Sequence, residues 1–273
     1  MARERIDYTE DAVEAAKAVL IELTHLLGEY RNDIVLVGGW IPPLLLSGAE
    51  EPHVGSIDVD LALNHRRLTE AGYATIGRIL AEHQYEQDKE QPFIFRKSVR
   101  GLTVQVDFLA GEYGGTGKNR RTQAVLDMRP RKARGCDLAF DISPENILLK
   151  GKLPDGAVDQ VTVRVAAVVP FLVMKGIALE DRRKGKDAYD IHFVLRNYPG
   201  GVEALVEAVL PHLKHGLVQE GLRKIAAKFA SVDHVGPKDA ADFADVEDPE
   251  ERTIRQRDAF ERVNLLLQKL SML

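Results

Sequence analysis

The chain has 273 residues, with 37 basic and 42 acidic side chains and a formal charge of −5. Its 45% apolar and 29% charged content is that of a globular protein. The acidic balance argues against a general nucleic-acid coat, and the single cysteine, Cys136, excludes an internal disulfide. The amino terminus, Met-Ala-Arg-Glu-Arg, leads into a charged amphipathic stretch rather than a signal peptide. No apolar run reaches the roughly 18 residues of a membrane span, so the expected location is the cytoplasm.

In chain order, the sequence predicts a first helix over Glu10 to Leu27, with Thr9 as cap and Ala12, Ala16, Val19, Leu23 and Leu26 as apolar stripe. Asp33 to Val37 reads as a buried strand stopped by Gly38-Gly39. Trp40 to Leu46 is a short apolar segment, helical beyond Pro42-Pro43, and a loop follows from Ser47 to Val54. Ser56 to Leu63 alternates polar and apolar residues, the period of a strand. A helix over Thr69 to His83 and a hairpin of Phe93 to Val99 with Leu102 to Leu109, turning at Arg100-Gly101, come next. Glu112 to Thr122 reads as a glycine-rich basic loop, and Leu138 to Asp141 and Gln160 to Val165 as short strands. From Pro170 the pattern is helical: Pro170 to Asp181, Asp187 to Asn197, Gly201 to Leu213, Leu217 to Ala230 and Pro249 to Leu270. The stretch Asp233 to Asp248 reads as an acidic linker, with Asp248 capping the last helix. The expected boundary gives a domain over 1–166 and a helical domain over 167–273.

The chemistry concentrates in Gly55-Ser56-Ile57-Asp58-Val59-Asp60-Leu61. On a strand, Asp58 and Asp60 share one face about 7 Å apart while Ile57, Val59 and Leu61 face a core. Asp107 is a third acid on the polar face of a later strand, with Thr103 and Gln105. Three carboxylates on strands suit hard divalent cations, which prefer oxygen ligands, and two such ions can clamp an in-line displacement at phosphorus. Paired glycines at Gly38-Gly39 let backbone N–H groups approach phosphate, and Ser56 shares the strand face of Asp58. Three basic patches, Lys118 to Arg121, Arg129 to Arg134 and Arg182 to Lys186, are candidate contacts for an anionic partner or simply solvated loops. Gly111 to Lys118 lacks the spacing of a P-loop, and His212 and His215 have nothing nearby to complete a metal site.

The set Gly38-Gly39, Ser56-x-Asp58-x-Asp60 and Asp107 resembles the active-site signature of the DNA polymerase beta nucleotidyltransferase superfamily. The segment from Lys175 through Arg182 to Lys186-Asp187-x-x-Asp190 resembles the corresponding part of the AbiEii/AbiGii toxins of type IV toxin–antitoxin systems. The resemblance implies an α/β (α+β) nucleotidyltransferase fold with a mixed sheet and a C-terminal helical domain. It implies a magnesium-dependent enzyme with two Mg2+ ions held by Asp58, Asp60 and Asp107, and a nucleoside triphosphate as substrate. Gly38, Gly39 and Ser56 would contact the nucleotide and Lys175 its triphosphate, and Asp187 or Asp190 would assist catalysis or hold the site together. The implied acceptor is RNA, such as a tRNA end, reached through the basic patches, and the implied partner is an antitoxin protein. Two features depart from the toxin pattern: Val54 replaces a basic residue and Trp40 a Ser or Thr. Gly-Gly-Trp resembles instead the start of aminoglycoside and lincosamide nucleotidyltransferases, so transfer to a small-molecule antibiotic stands as an alternative. A non-catalytic nucleotidyltransferase-like binding module is the other.

Overall fold

The structure, a computed structural model, describes residues 4–112, 130–181 and 184–272. The patch at Lys118 to Arg121, most of the glycine-rich loop, and parts of the other two basic patches lie outside these residues. The chain divides into two compact units. A sheet unit comprises Tyr8–Ile41 and Gly55–Ala167, and a helical unit comprises Pro42–Val54 and Val168–Leu273 together with Met1–Asp7.

The sheet unit opens with α1 (Glu10–Leu26), whose first turn is capped by Thr9: the Ala12 N–H donates to Thr9 Oγ1 at 3.2 Å. Its buried face carries Val19, Leu20, Ile21 and Leu23 and packs on the sheet. Burial of each such side chain contributes about 1.5–3 kcal/mol. The strands are β1 (Ile34–Val37), β2 (Asp58–Leu63), β3 (Glu86–Gln87), β4 (Ile94–Val99), β5 (Leu102–Ala110), β6 (Arg131–Lys132), β7 (Glu145–Lys152) and β8 (Val158–Val165). They form one mixed sheet in the order β3-β4-β5-β2-β1-β8-β7, with β6 beside β5. The β4–β5 hairpin turns at Arg100-Gly101 as the sequence predicts. Between β1 and β8 the chain contributes α2 (Ile41–Leu45), α3 (Glu70–Glu82) and α4 (Leu138–Asp141), of which α2 groups with the other unit apart from Ile41.

Several expectations are corrected. The carboxylate strand begins at Asp58 rather than Ser56. Pro42 and Pro43 lie inside α2 rather than before it, because the first helical turn needs no N–H from either. Leu138 to Asp141 is a helical turn, not a strand: a four-residue apolar run carries no period that separates the two. Glu145 to Lys152 is a strand the sequence reading left unassigned, paired with β8 across eight residues. Only Leu149 on it is fully buried, so its alternation is faint. The Asp155-Gly156 turn that closes this hairpin, with Gly156 at φ 95°, was the available signal.

The helical unit contains α5 (Val168–Asp181), α6 (Gly185–Asn197), α7 (Gly201–Val209), α8 (Gly216–Lys228), α9 (Val235–Ala244) and α10 (Pro249–Lys269). Asp248 caps α10, accepting from the Glu250 N–H at 2.8 Å. His215 lies at the start of α8 and accepts from the Leu217 N–H, a capping role. The expected acidic linker is instead α9. Gly236, Pro237, Ala240, Ala241 and Phe243 are its buried face, packed against α6 and α10. Small buried residues among acids give little hydropathy signal, so the helix read as linker. Among the described residues, no helix is long and apolar enough to cross a membrane.

Candidate active site

Strand pairing assembles the first cluster. β1 runs antiparallel to β2 and sets Val37 opposite Asp60. β5 runs parallel to β2 and sets Asp107 opposite Asp60, with Gln105 opposite Asp58. Neighbouring strands lie about 4.8 Å apart, so the backbones of Asp60 and Asp107 adjoin and Gly38 follows on the other flank. Val59 and Leu61 are buried, while Asp58 and Asp60 retain partial exposure and Asp107 is 8% exposed. The predicted alternation holds from Asp58 to Leu61, whereas Ser56 is buried, and Ile57 and Leu102, expected to face the core, are half-buried and exposed.

Each acid has a defined environment. Gly38 has φ +79°, and a Cβ there would stand 2.2 Å from Asp60 Oδ2. Both the left-handed backbone and the close approach of the carboxylate require glycine. Gly39 is buried in the same turn. Ser56, 1% exposed, donates through Oγ to Asp58 Oδ1 at 2.8 Å. Gln105 Nε2 donates to Asp107 Oδ1 at 2.7 Å, and Arg131 Nη2 stands 4.0 Å from Asp107 Oδ2. Trp40 is buried, and its indole Nε1–H donates to the Asp58 carbonyl at 2.9 Å. The indole thereby ties the glycine turn to the first residue of β2.

The donor set is three carboxylates, all hard oxygen ligands, which is the chemistry of a magnesium site. Gly38 leaves the space in which the Asp60 carboxylate lies. In this arrangement Asp58 is turned to Ser56 and Asp107 to Gln105. Among the described residues, no three His, Cys, Asp or Glu side chains are gathered as a ligand shell. The residues fit the ion in kind, and strand register sets Asp60 beside Asp107.

The second cluster belongs to the helical unit. Lys175 on α5 places Nζ 2.7 Å from Asp187 Oδ1 and 2.6 Å from Asp190 Oδ2. Lys186 Nζ reaches Asp190 Oδ1 at 2.9 Å. His53 Nε2 lies 2.9 Å from the same oxygen, with both side chains fully buried. The His53 ring packs against Tyr189 and edge-on to Phe193, and the Val54 N–H donates to Tyr189 Oη at 3.4 Å. Burial and the nearby lysines lower the His53 pKa to about 4, against the opposing pull of Asp190. Despite its own burial, Asp190 is held far below the usual carboxylate range by Lys175, Lys186 and His53. Two lysines and two carboxylates balance, so the cluster is neutral around a neutral imidazole.

Asp187 and Asp190 share a helical face, as their spacing predicts, but that face is buried, like most of α6. The sequence reading missed His53, Lys186 as a partner of Asp190 and the anchoring role of Trp40; it placed Gln105 on the face of Asp107 and Arg131 in a basic patch without tying either to the acid. Gln105, alternating with Asp107 on the polar face, was the one legible by period. Cys136 is fully buried, and burial pushes its thiol pKa up, which leaves it inert at neutral pH.

A mixed sheet carrying a glycine turn and three acids on adjoining strands defines a nucleotidyltransferase-like catalytic unit. Over residues 23–263 the sequence matches the family described as nucleotidyl transferase AbiEii toxin, type IV TA system. The chain belongs to that family, and is an enzyme of the nucleotidyl transferase toxin class whose membership implies an antitoxin partner. No curated protein matches the sequence.

Proposed function

We propose that the protein transfers a nucleotidyl group from a nucleoside triphosphate to a hydroxyl of RNA, such as a tRNA 3′ end. The observation that carries this reading is the register that sets Asp60 opposite Asp107, with Asp58 one face-position away, and the turn at the end of β1 that brings Gly38 against the Asp60 carboxylate. Asp58, Asp60 and Asp107 would hold two Mg2+ ions, whose chemistry is to neutralise phosphate charge and polarise the attacking and leaving oxygens. The acceptor hydroxyl attacks the α-phosphorus, the bond to the β-phosphate oxygen breaks, and pyrophosphate leaves. Asp107 is the carboxylate assigned to take the hydroxyl proton. Gly38 and Gly39 offer backbone N–H groups to phosphate, and Ser56 fixes the rotamer of Asp58. Most of the rate gain would come from positioning and charge complementarity.

Two considerations support RNA over an antibiotic as acceptor. The indole of Trp40 is committed to the Asp58 carbonyl, which gives Gly-Gly-Trp a structural reason independent of an antibiotic. Arg131 and Lys132 lie on β6, next to the acid-bearing β5, where they add positive charge for a polyanion.

The test is incubation of the protein with each labelled nucleoside triphosphate, Mg2+ and total RNA, with an aminoglycoside in a parallel reaction. Label is expected on RNA, and Asp58→Ala should reduce its transfer by about a thousandfold or more, the scale of losing a principal electrostatic catalyst. Label on the aminoglycoside alone would overturn the RNA assignment, and wild-type transfer by Asp58→Ala would overturn the site.

A further inference from the structure

The guanidinium of Arg131 stands beside the third acid. Strand pairing sets Arg131 opposite Leu109, two residues beyond Asp107 on β5. Its Cζ lies 5.6 Å from the Phe93 ring centroid, so the aromatic face steers the side chain. Nη2 stops 4.0 Å from Asp107 Oδ2, close enough for Coulomb attraction and beyond hydrogen-bond length. Its Nε is buried with no hydrogen-bond partner. A buried guanidinium N–H without an acceptor is costly, and its planar fork matches the oxygens of a phosphate.

We propose that Arg131 is a positioning residue that makes divalent-ion binding at Asp107 conditional on the phosphate chain of the substrate, an inference that rests on the nucleotidyl-transfer reading of this face. Without substrate, the guanidinium neutralises Asp107 and repels a lone cation. A polyphosphate offers its oxygens to the exposed part of this side chain, which is 38% exposed, and brings the negative charge that both the cation and the guanidinium need. The order that follows is joint entry of ion and phosphate rather than prior loading of the ion. Gln105, bonded to the other oxygen of Asp107, keeps the carboxylate facing the arginine meanwhile.

The two roles give variants opposite signatures. Mn2+ binding is measured by electron paramagnetic resonance, first with Mn2+ alone and then with inorganic tripolyphosphate, which avoids the identity of the base. In Arg131→Gln, Mn2+ alone should bind about fivefold tighter, because a neighbouring positive charge has gone. Tripolyphosphate with Mn2+ should bind about tenfold weaker, because charge-assisted hydrogen bonds have gone. Arg131→Lys keeps the charge without the fork, so Mn2+ alone should bind as in wild type while tripolyphosphate binding falls. Arg78→Gln, at an exposed arginine near Glu82 on α3, should leave both unchanged. Thermal melting of each variant checks folding, and a fold defect would weaken both ligands together. Affinities that move together in Arg131→Gln, or do not move, overturn the proposal while leaving the carboxylate site standing. A wild-type protein that binds no Mn2+ with or without tripolyphosphate overturns the nucleotidyl-transfer reading itself, and this inference with it.

Discussion

His53 is a neutral imidazole inside a charged cluster, and its energetics follow from that placement. With Asp190 ionised, Nε2 carries the proton and donates it to the carboxylate. The folded-state pKa of about 4 lies below the ordinary 6.5, so between these values the unfolded chain binds a proton that the folded protein refuses. Stability therefore rises with pH across this window and falls as pH drops from 6.5 towards 4. The full effect is about 3 kcal/mol for a shift of this size. Asp190, also depressed, adds a further loss only below the ordinary carboxylate range. His53→Gln keeps an N–H donor for Asp190 and removes the titration. Its unfolding free energy, followed by urea denaturation at pH 7, 6, 5 and 4, should be flatter with pH than that of wild type. His65, whose pKa is also lowered by burial, contributes the same sign in both proteins and cancels in the comparison. Parallel profiles would show that His53 does not carry the window. The neighbouring Val54 uses only its backbone N–H, towards Tyr189, so this contact places no demand on its side chain.

At the scale of elements, the turn from β1 into α2 does more than connect. Its indole–carbonyl bond holds the start of β2, and Asp58 is the first residue of that strand. Trp40→Phe keeps a buried aromatic and deletes the donor. Loss of one buried hydrogen bond should cost about 1–3 kcal/mol in urea unfolding. If the bond sets the position of Asp58, transfer should fall by about tenfold or more, with the substrate KM less affected than kcat. A variant with lowered stability and wild-type kcat would make the indole a packing residue only. The two-residue period legible in Asp58 to Leu61 and in Thr103 to Phe108 marks the acids in the sequence, because Val59, Leu61, Val104, Val106 and Phe108 face the core. Partners that meet through tertiary geometry had no such period. Trp40 and Asp58 are separated by 18 residues, and His53 and Asp190 by 137, distances at which spacing carries no information. Among the elements missed or misread, β7 and α9 have buried faces that are narrow or built from small residues, while α4, β3 and β6 are too short to show a period.

Across the whole molecule, the two units are interleaved in sequence. The segment 42–54 leaves the sheet unit after Ile41, groups with the helices, and returns at Gly55 to begin the carboxylate strand. Within the helical unit it contributes the buried Leu46, the His53–Asp190 bond and ion pairs from Glu51 to Arg196 and Arg255. A fragment of residues 168–273 contains all of α5 to α10 but lacks these groups. Asp190 keeps its lysines there but loses its imidazole donor, and Tyr189 and Phe193 lose the His53 ring while keeping each other. Losing a buried hydrogen bond to an ionised carboxylate costs about 1.5–3 kcal/mol, a sizeable part of the stability of a domain this size. The isolated fragment should therefore unfold at markedly lower urea concentration than the same fragment carrying residues 42–54 on a flexible Gly/Ser linker, as followed by near-ultraviolet circular dichroism. The linked fragment bearing His53→Ala should fall between the two, because it restores Leu46 and Glu51 without the imidazole. Equal midpoints for the bare and linked fragments would show that the helices form their core without the segment, and that its excursion serves only to join Gly39 to Ser56.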